Sequence, residues 1–169
     1  MSTSGVFREG DYLGTPRGVV LKKDCYQVFL MTCPAPLPIS FAAHPWFVVN
    51  KLGAVSRWEV GVKSFRGREQ WEYVHKDAFP LFQGVPMLHP LIRKPAWNSR
   101  LEGHLEGGEG SLAAQLVECI EASPATYPYT NSYNLLGPNS NTYAEWILRQ
   151  SPQSGLSLPW NAYGKDWKP

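Results

Sequence analysis

Apolar and polar positions alternate in short bursts through most of the chain and then change period. Val19 to Cys33 is rich in Val, Phe, Tyr and Leu and predicts a strand, broken by Pro34-Ala35-Pro36-Leu37-Pro38. Ser40 to Asn50 carries Phe41, Trp46, Phe47, Val48 and Val49 and predicts a second, more buried strand. Lys51-Leu52-Gly53 makes a turn. Val55 to Val62 then alternates, with Trp58, Val60 and Val62 on one face and Arg57, Glu59 and Gly61 on the other. Residues 40 to 62 therefore predict an antiparallel hairpin. Gln70 to His75 alternates again, placing Trp71, Tyr73 and His75 together, and Leu101, Gly103 and Leu105 alternate with Glu102, His104 and Glu106 as a half-exposed strand. Between them, Phe79 to Trp97 is broken by prolines and predicts a long loop.

Past the turn Gly107-Gly108-Glu109-Gly110 the spacing becomes helical. Ser111 caps a helix to about Ser123, with Leu112, Leu116, Val117 and Ile120 on one side. An aromatic loop from Pro124 to Pro138 holds Tyr127, Tyr129 and Tyr133, and a second helix opens at Ser140 or Asn141 and runs to about Gln150. The tail, with Trp160, Tyr163 and Trp167, is expected to fold back onto the domain. Residues 1–17, with Gly5, Gly10, Gly14 and Pro16, read as a flexible lead-in. Residues 18–169 form a single α+β domain: an antiparallel sheet or partial barrel packed against two main helices.

Composition narrows the function classes. The 169 residues are 43% hydrophobic and only 18% charged, with a net charge of +2. No Lys/Arg stripe is visible, which argues against nucleic acid. Met1 to Gly10 lacks an apolar run, so neither a leader nor a membrane span is expected, and a cytoplasmic location is the default. Cys25, Cys33 and Cys119 are an odd number without Cys-x-x-Cys spacing, and the four histidines are scattered, so no disulfide framework, metal or cofactor is expected. Seven Trp, eight Tyr and seven Phe either fill the core or line a cleft.

The chemistry concentrates before the last helix. A Gly137-Pro138 turn leads into Asn139, Ser140, Asn141 and Thr142. A helix N-terminus carries unpaired N–H groups and a partial positive charge, and one Asn or Ser satisfies the cap. The surplus fits either a richly capped surface helix or a place that activates a nucleophile and holds an oxyanion. His44, amid Phe41-Ala42-Ala43 and Pro45-Trp46-Phe47, is either a satisfied core histidine or a tuned acid/base. Glu59 on the next strand is either exposed or the carboxylate that orients the imidazole. Taken together, His44 as base, Glu59 as orienting group and Ser140 as nucleophile are the parts acyl transfer needs, with Asn139 or N–H groups near Asn141 for the oxyanion. The three cysteines read as core. In the alternative reading the cleft is non-catalytic. Trp46, Tyr129 and Tyr133 line it, Asn139, Asn141 and Thr142 hold the turn, and a peptide or small polar molecule binds. The oligomeric state stays open.

The segments Ala43-His44-Pro45-Trp46-Phe47, Trp58-Glu59-Val60, Tyr127-Pro128-Tyr129, Gly137-Pro138-Asn139-Ser140-Asn141-Thr142-Tyr143 and Ala162-Tyr163-Gly164-Lys165-Asp166-Trp167 make the chain similar to the bacterial family called domain of unknown function 3750. More distantly, the order of parts resembles the circularly permuted branch of the papain-like superfamily, which includes NlpC/P60-like cell-wall peptidases and lecithin:retinol-acyltransferase-like proteins. Those carry an early strand histidine and a late helix start of the Asn-Cys-Glu-His-Phe kind. The resemblance implies that His44 matches the histidine and Ser140 the cysteine, so the expected activity is amide or ester hydrolysis, or acyl transfer. Serine in place of the thiol leaves two expectations: a serine variant, or an inactive domain that kept its cleft.

Overall fold

A computed structural model of the chain describes residues 15–65, 68–88 and 95–168, and for residues 62–65 and 68–73 it describes the backbone alone. The expected lead-in up to residue 14, the His89 to Lys94 part of the long loop, and the facing of Val62, Trp71 and Tyr73 lie outside the described residues. Five strands, β1 (Tyr26–Pro34), β2 (Ala43–Lys51), β3 (Ala54–Phe65), β4 (Arg68–Lys76) and β5 (Arg100–Gly107), form one open antiparallel sheet in the order β4-β3-β2-β1-β5. Two helices, α1 (Leu112–Thr126) and α2 (Ser140–Arg149), pack on one face, α1 over β1 and β5 and α2 over β2 and β3. The fold is thus α+β with an open sheet rather than a closed barrel. Among the described residues, no helix is long and apolar enough to cross a membrane.

The middle of the sheet is buried on both faces, which explains why β1 and β2 read as near-continuous apolar runs. Val28, Leu30, Phe47, Val49, Trp58 and Val60 meet the helices, together with Leu116, Ile120 and Ile147. Phe29, Met31, Cys33, Trp46 and Val48 face the other way, under Val19, Leu21, Phe82 and Val85. The covering layer there is the Pro-rich loop after β4 and the segment before β1. Val19 and Leu21 therefore belong to the core, while the strand itself begins later, at Tyr26, after the turn at Lys23-Asp24. Arg57 and Glu59, which alternation assigns to the face opposite Trp58, are fully buried beneath that loop.

Helix α1 runs on through Pro124 to Thr126, past the expected end at Ser123. Proline removes the N–H that would bond the Ile120 carbonyl. The Ser123 hydroxyl donates to that carbonyl at 2.6 Å, so the gap in the ladder is filled and the helix continues. The same hydroxyl is paired at 2.9 Å with Tyr143, a fully buried residue in the first turn of α2. Tyr143 also lies edge-on to Phe47 and Tyr127, with ring centroids 6.3 and 5.2 Å away. Full burial of one large aromatic side chain is worth about 1.5–3 kcal/mol, enough to fix the start of α2 against the sheet.

The tail folds back across this helix start. Asn161 accepts from the Ala43 N–H at 3.0 Å, and the Thr142 hydroxyl donates to the Gly164 carbonyl at 2.7 Å. Gly164 has φ +93°, and a Cβ there would fall 2.5 Å from Asn139 Nδ2. Gly164→Ala is therefore expected to cost about 1–3 kcal/mol through backbone strain and the clash. The check is a urea titration, in which the midpoint falls at unchanged slope; an unaltered midpoint would contradict this packing.

Candidate functional site

The four polar residues before α2 divide their work. Asn139 is the N-cap: its Oδ1 accepts from the N–H groups of Asn141 at 2.9 Å and Thr142 at 3.2 Å. Thr142 closes a reciprocal capping box, its hydroxyl accepting from the Asn139 N–H at 3.1 Å. Asn139 Nδ2 donates to the carbonyls of Asn134, Leu135 and Tyr163. Every polar group of Asn139 and Thr142 is thus committed to the turn. An oxyanion held by the Asn139 amide, or by the Asn141 N–H, is not what the geometry provides. Because Asn139 caps the helix, Ser140 is released from that duty and sits at its first position. Tyr133 reaches back from the loop, and its hydroxyl lies beside the hydroxyl and the backbone N–H of Ser140, whose influence alone would lower its pKa. Burial raises the Tyr133 phenol above its ordinary range despite this influence, so it keeps its proton at neutral pH.

The second half of the site comes from β2 and β3. Their pairing runs from Lys51↔Ala54 to Phe47↔Trp58 and stops there, although β2 continues beside β1 to Ala43. His44 therefore lies where the two strands part. Continued register would face it with Gly61, where even an added Cβ would stay 4.0 Å from His44 Cε1, so the ring has room. His44 Nε2 meets Glu59 Oε2 at 2.7 Å. Arg57 grips the same carboxylate with both arms of its fork, Nε to Oε1 at 2.6 Å and Nη2 to Oε2 at 3.1 Å. Its remaining Nη1 donates to the carbonyls of Pro80 and Gln83, and its plane lies 4.2 Å over the Trp46 ring. Burial alone would push the Glu59 carboxyl up. The charge of Arg57, with hydrogen bonds from His44 and Arg57, outweighs it and holds the carboxyl at about 2.

His44 and Ser140 line one cavity of about 380 Å³, together with Tyr133, Asn139 and Asn141 and an apolar wall that includes Ile39 and Leu135. The structure thus brings His44, Glu59, Ser140 and Tyr133 into one constellation. It does not bring Trp46 and Tyr129 to the cleft. Trp46 is fully buried on the loop-covered face, its Nε1 donating to the Leu81 carbonyl at 2.9 Å. Tyr129 packs edge-on against Trp167, centroid to centroid 4.8 Å. Arg57 is the member that sequence reading passed over. Its signal was an Arg and a Glu two residues apart on one strand face in a chain poor in charge. Cys33 pairs with His44 across β1 and β2, but it is buried on the loop-covered face and that burial pushes its thiol up to about 12; Cys119 is half-buried in α1, and burial raises it too. Among the described residues, no three His, Cys, Asp or Glu side chains gather to hold a metal ion.

The molecule is thus an α+β domain with a carboxylate-held histidine and a helix-start serine on one cleft. It belongs to the family described as Protein of unknown function (DUF3750), whose model matches residues 26–167 and so spans every residue of the site. No curated protein and no solved structure matches the chain.

Because Glu59 keeps its charge far below the ordinary 4.5, the unfolded chain takes up this proton first as pH falls. The stability that Glu59 contributes is complete above about 4.5 and is lost as pH drops towards about 2. Glu59→Gln leaves the Arg57 charge buried without its carboxylate and is expected to cost about 3–5 kcal/mol at neutral pH. It should also flatten the loss of stability across that acid window. Denaturant midpoints measured from pH 2 to 7 check both effects; a variant as stable as wild type, with the same acid slope, would contradict this role.

Proposed function

We propose that the cleft catalyses acyl transfer or hydrolysis on an amide or ester, with Ser140 as nucleophile, His44 as base and Glu59 as its orienting partner. The observation that carries this reading is that a histidine fixed by a buried carboxylate and a serine freed from capping line the same cavity. Glu59 takes the Nε2–H of the ring, which leaves Nδ1 as the nitrogen able to accept the Ser140 proton. The Ser140 oxygen bonds the carbonyl carbon, the bond to the leaving group breaks, and His44 returns the proton to that group. Water then repeats the sequence on the acyl-serine. The Ser140 N–H, one of the backbone groups near Asn141, and the Tyr133 hydroxyl serve as donors to the oxyanion in place of the Asn139 amide. The chain order, histidine strand before nucleophile helix, supports a permuted papain-like relationship with serine at the thiol position. The Tyr133 hydroxyl beside Ser140 favours one alternative, a cleft that binds a peptide or small polar ligand without turnover.

Two experiments separate these readings. A fluorophosphonate probe should label wild type, fail on Ser140→Ala, and label His44→Ala at least about a hundredfold more slowly. An unlabelled wild type, or labelling that survives Ser140→Ala, would contradict the catalytic reading. In Ser140→Cys, a thiol at a helix N-terminus opposite an imidazole should be held partly as thiolate. Iodoacetamide at mildly acidic pH should then alkylate that position about tenfold or more faster than Cys25, Cys33 or Cys119. A rate no greater than theirs would mean that the position lacks an activating environment.

A further inference from the structure

Asn141 holds an acceptor that the fold itself leaves unused. Its Nδ2 donates to the carbonyls of Ala43 at 3.0 Å and Tyr163 at 2.9 Å. Turning the amide over would set its oxygen against two carbonyl oxygens, so the orientation is fixed. Its Oδ1 is buried and has no hydrogen-bond partner. Among the described residues only one other buried side-chain polar atom is in that condition, Tyr127 Oη, and Tyr127 does not line the cavity. Asn141 does line it, is only 3% exposed, and directly follows Ser140 on the helix. Native proteins rarely leave such an atom without a donor, and a ligand is one source of it.

We propose that the cleft is built for amides, with Asn141 Oδ1 accepting the N–H beside the scissile carbonyl; this rests on the acyl-transfer reading above. An amide carries its N–H one bond from the carbonyl carbon, so one planar group can meet two consecutive helix residues. Its carbonyl carbon faces the Ser140 oxygen, and its N–H faces Asn141. An ester puts a second acceptor oxygen at that point, and two acceptors repel. The apolar wall of Ala35, Pro36, Ile39 and Ala42 receives the uncharged part of the substrate. In turnover the Ser140 oxygen bonds the carbonyl carbon, the C–N bond breaks, and the proton held by His44 leaves with the amine.

The test is binding, so it does not depend on turnover. Isotope-labelled Ser140→Ala protein is titrated with N-benzylacetamide and with benzyl acetate, two molecules of the same shape that differ in the N–H. The amide should give saturable shifts at the Asn141 backbone and side-chain signals, with the ester about tenfold or more weaker. Equal affinities, shifts remote from Asn141, or no binding of either compound would overturn the proposal. Its failure is distinguishable from failure of the catalytic reading. An amide preference without fluorophosphonate labelling of wild type means a recognition site without turnover, and labelling without the preference means catalysis without this selectivity.

Discussion

A carboxylate removed from water persists as an anion only where cations and donors replace its hydration, and the site depends on how Glu59 meets that condition. Arg57 supplies a fork to both oxygens and His44 supplies the third bond. The guanidinium is in turn held by two loop carbonyls and lies over the Trp46 ring. One buried ion pair therefore ties β3 to the loop that covers the sheet and to the imidazole at the end of β2. Each partner alone would be costly in that interior; together they set the direction of the ring.

The other half of the cleft is organised by polar saturation. Asn139 and Thr142 spend every polar group on the turn, and the tail carbonyls of Tyr163 and Gly164 complete the accounting. This leaves few groups with chemistry to offer, and they are adjacent: the Ser140 hydroxyl and N–H, the Tyr133 phenol, and the Asn141 oxygen. The parting of β2 from β3 beyond Phe47↔Trp58 supplies the space in which the two halves share a cavity.

Much of this architecture was legible in the residues. The period of two around Trp58 and Val60 and the helical spacing from Leu112 to Ile120 identified strands and helices, because both patterns follow from backbone geometry. The tail does fold back, but of the aromatics that suggested it Trp167 packs on Tyr129 while Trp160 stays 81% exposed, and hydrogen bonds to Ala43 and Thr142 help to hold the segment. The helix start was legible because Gly-Pro followed by Asn-Ser-Asn-Thr has few other uses. Alternation could not say that both sheet faces are covered, since that depends on where a proline-broken loop comes to rest. Arg57 and Glu59 consequently read as an outward face when they are interior. Nor could local sequence tell Trp46 and Tyr129, which pack, from Tyr133, which reaches the cleft. That difference is set by which way a loop turns, through contacts distant along the chain. Of the three cysteines expected in the core, Cys33 is buried, while Cys25 and Cys119 are half-buried.

For His44 to serve as the base, Glu59 must hold its imidazole by Nε2 and leave the second nitrogen to the cleft. Long-range nitrogen–proton NMR of the His44 ring, at a pH where the ring is neutral, measures this directly. The tautomer protonated at Nε2, with Nδ1 bare, is expected, together with loss of that single tautomer in Glu59→Gln. A ring protonated at Nδ1, or a mixture of tautomers unchanged by Glu59→Gln, would contradict it.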